Sequence, residues 1–174
     1  MFGRIDAMGS SAGYWLGLVI LGLGLEGTAL YYQYALKYYP CVLCIQVRIW
    51  VAGLVLVSAL ALPVRRSWPL RGAAHLLTAV IAAGLLDRSW RLLGIERGWL
   101  EGECSFDAGL PAWLALDQWF PKVFGVQESC GYTPELLFGI TMAEALLVGS
   151  LVLLLVSLTM TAAVLRAGLR GTVA

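Results

Sequence analysis

The sequence has 174 residues, of which 60% are hydrophobic and only 13% are charged, and its formal net charge is +1. Soluble domains are about 45–50% apolar and about 25% charged, so this composition excludes an ordinary soluble protein and indicates a membrane protein. A dedicated nucleic-acid-binding protein would carry a basic face or arm, and with so little net charge we expect no nucleic acid among the partners.

Four stretches of the chain are each close to the roughly 20 apolar residues that a helix needs to cross a bilayer. They cover residues 12–32, 42–62, 70–90 and 136–158. The first is a membrane helix rather than a signal peptide, since it is long, contains Glu26 and is followed by no cleavage-site pattern. We therefore predict an all-α membrane protein, a four-transmembrane-helix bundle that forms a single domain over residues 1–174.

A CxxC pair, Cys41 and Cys44, follows Pro40 directly at the start of the second stretch. Proline is well suited to the start of a helix, so both cysteines are predicted in its first turn. Unpaired amides and the helix dipole there favour a thiolate, the form that attacks disulfides. The spacing indicates a pair that alternates between dithiol and disulfide. The alternative is that both cysteines pack as small apolar side chains.

An arginine, Arg48, lies inside the same apolar stretch, four residues after Cys44 and therefore on the same helix face. A charge within a membrane is costly and usually marks a function or a buried partner. We interpret Arg48 as a group that stabilises a thiolate and hydrogen-bonds a carbonyl of a lipid-soluble quinone. Two alternatives remain: Arg48 extends to the outer interface, or it pairs with Glu26.

The orientation follows from the distribution of basic residues in the short loops. The loop between the second and third stretches carries Arg65 and Arg66 without an acid, whereas the loop between the first and second has only Lys37. Both termini are therefore predicted on the cytoplasmic side. The CxxC pair and a long loop, residues 94–134, are then periplasmic if the cell is bacterial, and disulfides persist in that compartment.

The long loop contains a second pair of cysteines, Cys104 and Cys130. Together with the CxxC pair they do not have the spacing of a zinc site, so we expect no metal. A structural disulfide that closes the loop is the alternative to a redox role. Between them, Leu116, Phe120 and Val123 recur at helical spacing after Trp113, which predicts a short interfacial helix.

Two segments resemble the DsbB family of disulfide bond formation proteins, the quinone reductases of the bacterial inner membrane. They are "ALYYQYALKYYPCVLCIQVRIW" and "CSFDAGLPAWLALDQWFPKVFGVQESC". The order of the cysteines, CxxC first and loop pair later, distinguishes the chain from the related vitamin K epoxide reductase family. The resemblance extends over about residues 13–148.

The resemblance implies a thiol oxidoreductase that reoxidises a periplasmic DsbA-like protein of the thioredoxin fold. It assigns Cys104 and Cys130 to exchange with that partner, with Cys104 in the mixed disulfide. It assigns Cys41 and Cys44 to the pair that passes electrons to ubiquinone or menaquinone, with Cys44 facing the quinone and Arg48 binding it.

The resemblance also suggests Met142 as a residue near the quinone. Gln46 and Val47 precede Arg48 where the family often has "YE", and a histidine used near the quinone in some members has no clear counterpart.

Three other functions remain open: a DsbB paralogue with a dedicated partner, a non-enzymatic membrane scaffold with a disulfide-closed loop, and a small transporter that uses Glu26, Arg48 and Glu144.

Overall fold

The computed structural model of the protein describes residues 2–102, 109–111, 115–137 and 139–171. Seven helices and two short strands make up this described part of the chain. In chain order they are α1 (Phe2–Gly9), α2 (Ala12–Tyr34), α3 (Val42–Val64), α4 (Trp68–Glu96), α5 (Leu116–Trp119), α6 (Pro121–Phe124), β1 (Glu135–Leu137), β2 (Ile140–Thr141) and α7 (Met142–Gly171).

Four of these helices, α2, α3, α4 and α7, are long and apolar enough to cross a membrane. The shortest have 23 residues, which gives a length of about 35 Å against a hydrocarbon core of about 30 Å. They pack in series, α2 against α3, α3 against α4 and α4 against α7, while α1 packs against α7. The predicted four-helix membrane bundle is confirmed.

The fourth membrane helix begins at Met142 and not at residue 136 as predicted. Residues of the predicted first turn instead form the antiparallel β1–β2 hairpin. A reciprocal pair of hydrogen bonds fixes the helix start: the Glu144 amide donates to Thr141 Oγ1 (3.3 Å), and the Thr141 amide donates to Glu144 Oε2 (3.1 Å). This is a capping box, and it satisfies amides that a helix N-terminus leaves unpaired.

The third membrane helix continues beyond the predicted end at residue 90 and reaches Glu96. Asp87 and Arg91, one turn apart, form an ion pair of 3.3 Å that keeps polar groups satisfied on the helix surface. The helix stops where Gly98 adopts a left-handed conformation with φ 71°, which glycine accepts at little cost. The Trp99 amide then donates to Gly94 O (2.7 Å) and closes the last turn.

The predicted interfacial helix of the long loop is two separate turns, α5 and α6. Phe120 separates them with a non-helical backbone (φ −132°, ψ 62°), because the ring of Pro121 removes an amide donor and disfavours a helical residue before it. Trp113, the first residue of the predicted pattern, lies outside the described residues. Side chains of α5 and α6 are not buried, so these turns lie on the surface of the bundle.

The end of the bundle opposite the CxxC pair is closed by aromatic and polar packing. Trp15 is fully buried, and its Nε1 donates to Gly9 O (3.0 Å). The ring of His75 lies with its centroid 4.7 Å from that of Trp15 and is also fully buried. His75 is thus a packed side chain. Arg71 pairs with Asp6 at 2.8 Å and attaches α1 to α4.

Candidate functional site

The CxxC pair lies at the N-terminus of α3. Cys41 is the N-cap residue, with extended backbone, and its Sγ accepts a hydrogen bond from the Cys44 amide (3.3 Å). Cys44 lies within the first turn, as predicted, whereas Cys41 stands just before it. The two sulfurs are 2.8 Å apart, so they can close to a disulfide of about 2.05 Å with a small movement.

Cys130 of the long loop lies against the same helix end. It packs with the buried residues Cys41, Val42 and Leu43, and its thiol is hydrogen-bonded to that of Cys41. The loop is fixed there by Pro40, whose carbonyl accepts the amides of Gln127 (3.0 Å) and Glu128 (3.3 Å). Three sulfurs from two distant segments therefore form a continuous row. The fourth, Cys104, lies outside the described residues.

The protonation of these thiols follows from their mutual hydrogen bonds. The hydrogen bond with Cys41, together with burial, raises the pKa of Cys130. The hydrogen bond with Cys130 lowers the pKa of Cys41. The hydrogen bond with Cys44 and burial act in the opposite direction and outweigh that effect, so the pKa of Cys41 is raised to about 12. With all thiols reduced, both groups are therefore protonated at neutral pH. Either becomes a nucleophile only when exchange releases it as a thiolate.

Arg48 is 6% exposed, so it does not extend to the outer interface. Its Nη1 donates to Gln33 Oε1 (2.6 Å) and to the Val123 carbonyl (2.9 Å), and its Nη2 donates to the Ala29 carbonyl (3.1 Å). Among the described residues it forms no ion pair within 4.0 Å with Glu26. Interfacial extension of Arg48 is therefore wrong, and its interaction with Glu26 is one between charges without a salt bridge.

Gln33 is a site residue that the sequence reasoning missed. It is 3% exposed, and its Nε2 donates to the Lys122 carbonyl (3.3 Å) while its Oε1 accepts from Arg48. The hydroxyl of Tyr34 donates to the same Lys122 carbonyl. A signal was present: Glu26 and Gln33 are polar residues seven positions apart, so they share one face of an otherwise apolar helix.

A cavity of about 370 Å³ lies beside these residues, between the halves of the four membrane helices that are nearer to the CxxC pair. Cys44, Arg48, Glu26 and Met142 line it, and Cys130 lies at its outer end with residues of the loop. Most of the other lining side chains are apolar, including Leu21, Leu25, Val47, Val51, Leu54 and Leu85. Met142 thus lies where the family resemblance suggested.

The end of the cavity near the loop is surrounded by tyrosines. Tyr32, Tyr38 and Tyr132 all line it, and the rings of Tyr38 and Tyr132 are stacked with centroids 6.1 Å apart. Cavities of about 300–1,000 Å³ with apolar walls and a few polar groups suit small apolar ligands. A quinone ring fits this description, because Arg48 offers a donor for a carbonyl and Cys44 offers a sulfur.

The fold and the site define a class: a multi-pass membrane protein that carries thiol redox chemistry at one end of a four-helix bundle. The comparison with protein families agrees with this class. Residues 11–160 match the model of the family described as disulfide bond formation protein DsbB. The chain belongs to the DsbB family and is, in general terms, a disulfide-forming oxidoreductase.

Individual relatives support the same assignment. The chain is 35% identical over 156 residues to disulfide bond formation protein B of Haemophilus influenzae, with 87% of each chain covered. It is 34% identical over 159 residues to disulfide bond formation protein B 2 of Pseudomonas aeruginosa, covering 90% of this chain and 92% of the relative. A protein named disulfide bond formation protein B from Shewanella denitrificans is 33% identical over 131 residues, 75% of each.

Proposed function

We propose that the protein reoxidises a DsbA-like dithiol protein of the thioredoxin fold and passes the electrons, through two cysteine pairs, to a membrane quinone. One observation carries the proposal. The row of sulfurs formed by Cys130, Cys41 and Cys44 ends at an apolar cavity that also contains Arg48. A structural disulfide in the loop requires neither the row nor the cavity.

The loop pair receives the electrons first. A thiolate of the partner attacks Cys104 of a Cys104–Cys130 disulfide, forms a mixed disulfide there and releases Cys130 as a thiolate. Cys130 lies against Cys41, so it attacks Cys41 of a Cys41–Cys44 disulfide and releases Cys44 as a thiolate beside the cavity. The second thiol of the partner resolves the mixed disulfide and frees Cys104. Attack of Cys104 on Cys130 restores the loop disulfide and leaves Cys41 and Cys44 reduced.

The inner pair is then oxidised at the cavity. Ubiquinone or menaquinone, when bound, supplies a two-electron acceptor. Cys44 lines the cavity and Cys41 is 2.8 Å behind it, so formation of their disulfide delivers the electrons at the cavity wall. Arg48 is oriented by Gln33 and two carbonyls, and its charge favours both the Cys44 thiolate and a partly negative carbonyl oxygen. Gln33 is a positioning residue in this scheme.

The location follows from the same chemistry. We place the chain in the bacterial inner membrane with both termini in the cytoplasm and the cysteines toward the periplasm. Basic residues at the α3–α4 connection, Arg65 and Arg66, support this orientation by the positive-inside rule. An oxidising compartment on the side of Cys41 and Cys130 is also what a disulfide relay requires.

The absorbance of oxidised quinone tests the proposal directly. Detergent-purified protein is mixed with ubiquinone or menaquinone and a reduced thioredoxin-fold dithiol protein, and the decrease in absorbance is followed over many turnovers. The wild type is expected to consume quinone catalytically, and Cys44→Ala is expected to abolish turnover. Ser58→Ala, a buried change in the same helix outside the cavity lining, is the matched control and is expected to keep turnover.

Two outcomes would contradict the proposal. If the dithiol stays reduced with both quinones and with several thioredoxin-fold partners, a membrane scaffold with a disulfide-closed loop becomes the better reading. If Cys44→Ala retains full turnover, the quinone does not meet the CxxC pair. A reaction limited to one of the tested partners would identify a paralogue with a dedicated partner.

A further inference from the structure

Among the described residues, two carboxyl side chains line the cavity: Glu26 from α2 and Glu128 from the loop. Glu128 is exposed and stands at the outer end beside Cys130. Glu26 lies deeper, in the middle of a membrane-spanning helix, and its Oε1 is buried without a hydrogen-bond partner among the described residues. The disulfide relay described above assigns no task to this carboxyl group.

The surroundings of Glu26 favour its neutral acid form. A carboxylate buried among apolar side chains is costly unless it is paired and hydrogen-bonded, whereas a neutral carboxyl group costs much less. The nearest candidate for a pair, Arg48, directs its hydrogen bonds to Gln33 and to the carbonyls of Ala29 and Val123 instead. Burial thus favours a protonated acid at Glu26, which lines the same cavity as Cys44.

Reduction of a quinone to a quinol requires two protons along with two electrons, so the cavity needs a proton source. We propose that Glu26 is the general acid that protonates one quinone oxygen as the Cys41–Cys44 disulfide forms. This inference rests on the proposed function and adds a residue to it.

The atoms and electrons of this step balance. The reacting groups are the Cys44 thiolate, the Cys41 thiol, the Glu26 acid and the quinone. The Cys41–Cys44 bond forms, and the two sulfurs lose two electrons, which reduce the quinone. Glu26 gives one proton and becomes a carboxylate, and the Cys41 thiol gives the second, so that quinol results. The partner dithiol loses two protons as it is oxidised, and these restore the proton of Glu26 and that of the Cys41 thiol, so the net reaction is dithiol plus quinone to disulfide plus quinol.

The test compares Glu26→Gln with Asp87→Asn, a carboxyl-to-amide change in another membrane helix, outside the cavity lining. In a single turnover, reduced protein is mixed with excess quinone. Glu26→Gln is expected to slow quinol formation by about 10²-fold, within the range that general acids contribute. Glu26→Asp is expected to recover part of that loss. Acid trapping measures the rate of exchange between the partner dithiol and the loop disulfide. That rate is expected to stay within about twofold of the wild-type rate in every variant.

An infrared spectrum of the quinone-free protein gives a readout that does not depend on activity. The wild type is expected to show the C=O stretch of a protonated carboxyl group in an apolar environment. That band is expected to be absent in Glu26→Gln and present in Asp87→Asn.

The two proposals fail in different ways. If the wild type reduces quinone and Glu26→Gln reduces it equally fast, Glu26 is not the general acid, while the relay stands. An infrared spectrum without the band, or with the same band in Glu26→Gln, also overturns the inference, because Glu26 would then carry no proton to give. If the wild type transfers no electrons to quinone, the proposed function itself fails, and the role of Glu26 fails with it.

Discussion

Cys41 has two sulfur neighbours because of its position at the N-cap of α3. From the N-cap position, the Cys41 Sγ atom is 2.8 Å from Cys44 Sγ on one side and is hydrogen-bonded to the Cys130 thiol on the other. The same sulfur can therefore belong to a disulfide with either neighbour, which is what a relay between a loop and a helix requires.

The contact between Cys130 and Cys41 predicts a measurable reactivity. In a chain with Cys44→Ser and Cys104→Ser, kept reduced with a phosphine, Cys130 is expected to react slowly with iodoacetamide at pH 8. A raised pKa means less thiolate at a given pH, so the rate should increase with pH. Adding Cys41→Ala removes the main cause of the shift and is expected to accelerate alkylation about tenfold, the equivalent of one pKa unit. Mass spectrometry of the Cys130 peptide measures the rate.

Leu43→Ala serves as the control in that comparison. It opens the same buried cluster without removing a sulfur, so it reports the effect of solvent access alone. Equal acceleration by Leu43→Ala and Cys41→Ala would mean that packing, and not the hydrogen bond with Cys41, protects Cys130.

The helical turn α6 has only four residues, but its backbone holds several side chains of the site. None of its side chains is buried, yet its Lys122 and Val123 carbonyls accept hydrogen bonds from Gln33, Tyr34 and Arg48. The turn closes through the Gly125 amide, which donates to Pro121 O (3.0 Å). The backbone of a surface turn thereby orients a buried cation.

A methyl group at Gly125 should disturb this arrangement. The added Cβ would meet the Pro121 carbonyl oxygen, which belongs to the backbone and cannot move aside without opening the turn. Gly125→Ala is expected to destabilise the protein by about 1–3 kcal/mol, as overpacking does. Trypsin should then cut after Lys122 several-fold faster, since the carbonyl there is no longer held. Thermal unfolding and peptide mapping provide the two measurements.

Gly24→Ala is the matched control, because a Cβ at Gly24 meets nothing within 4 Å. It is expected to leave both the unfolding temperature and the cleavage after Lys122 unchanged. If Gly125→Ala behaves like Gly24→Ala, α6 tolerates the methyl group and does not depend on a tight turn.

The spanning helices and the cysteine pair could be predicted from the sequence because each depends on local pattern. Apolar length identifies a membrane helix, and Pro40 before the CxxC indicates a helix start. The start of α7 was misplaced because residues of β1 are as apolar as those of a helix turn. The partners of Arg48 could not be predicted, since two of them are backbone carbonyls, which no residue type reveals. The contact of Cys130 with Cys41 is equally hidden, because cysteine pairing does not follow from sequence alone.

At the scale of the whole molecule, the two ends of α3 differ in their chemistry. The basic residues Arg65 and Arg66 lie after the C-terminus of α3, and Cys41 and Cys44 lie at its N-terminus, about 35 Å away along a helix of 23 residues. With the positive-inside rule, this separation assigns each end of the bundle to one side of the membrane.

That orientation is testable with single cysteines in a chain whose four native cysteines are replaced by serine. Gln127→Cys, in the exposed loop, is expected to react with a membrane-impermeant maleimide on spheroplasts. Ser67→Cys, at the connection between α3 and α4, is expected to react only in inverted vesicles. Gel shifts of the labelled protein measure both. The reverse pattern would put Cys130 in the cytoplasm and would remove the basis for a periplasmic relay.

The helices that flank the cavity, α2 and α7, are the two ends of the packing series rather than neighbours in it. Residues of both helices, among them Leu21, Leu25 and Gly149, line the cavity. A ligand that enters between them arrives sideways, from among the acyl chains. Its availability is then set by its mole fraction in the bilayer and not by its amount per volume of buffer. Added phospholipid would dilute such a ligand, whereas a partner arriving from the aqueous side would not be affected.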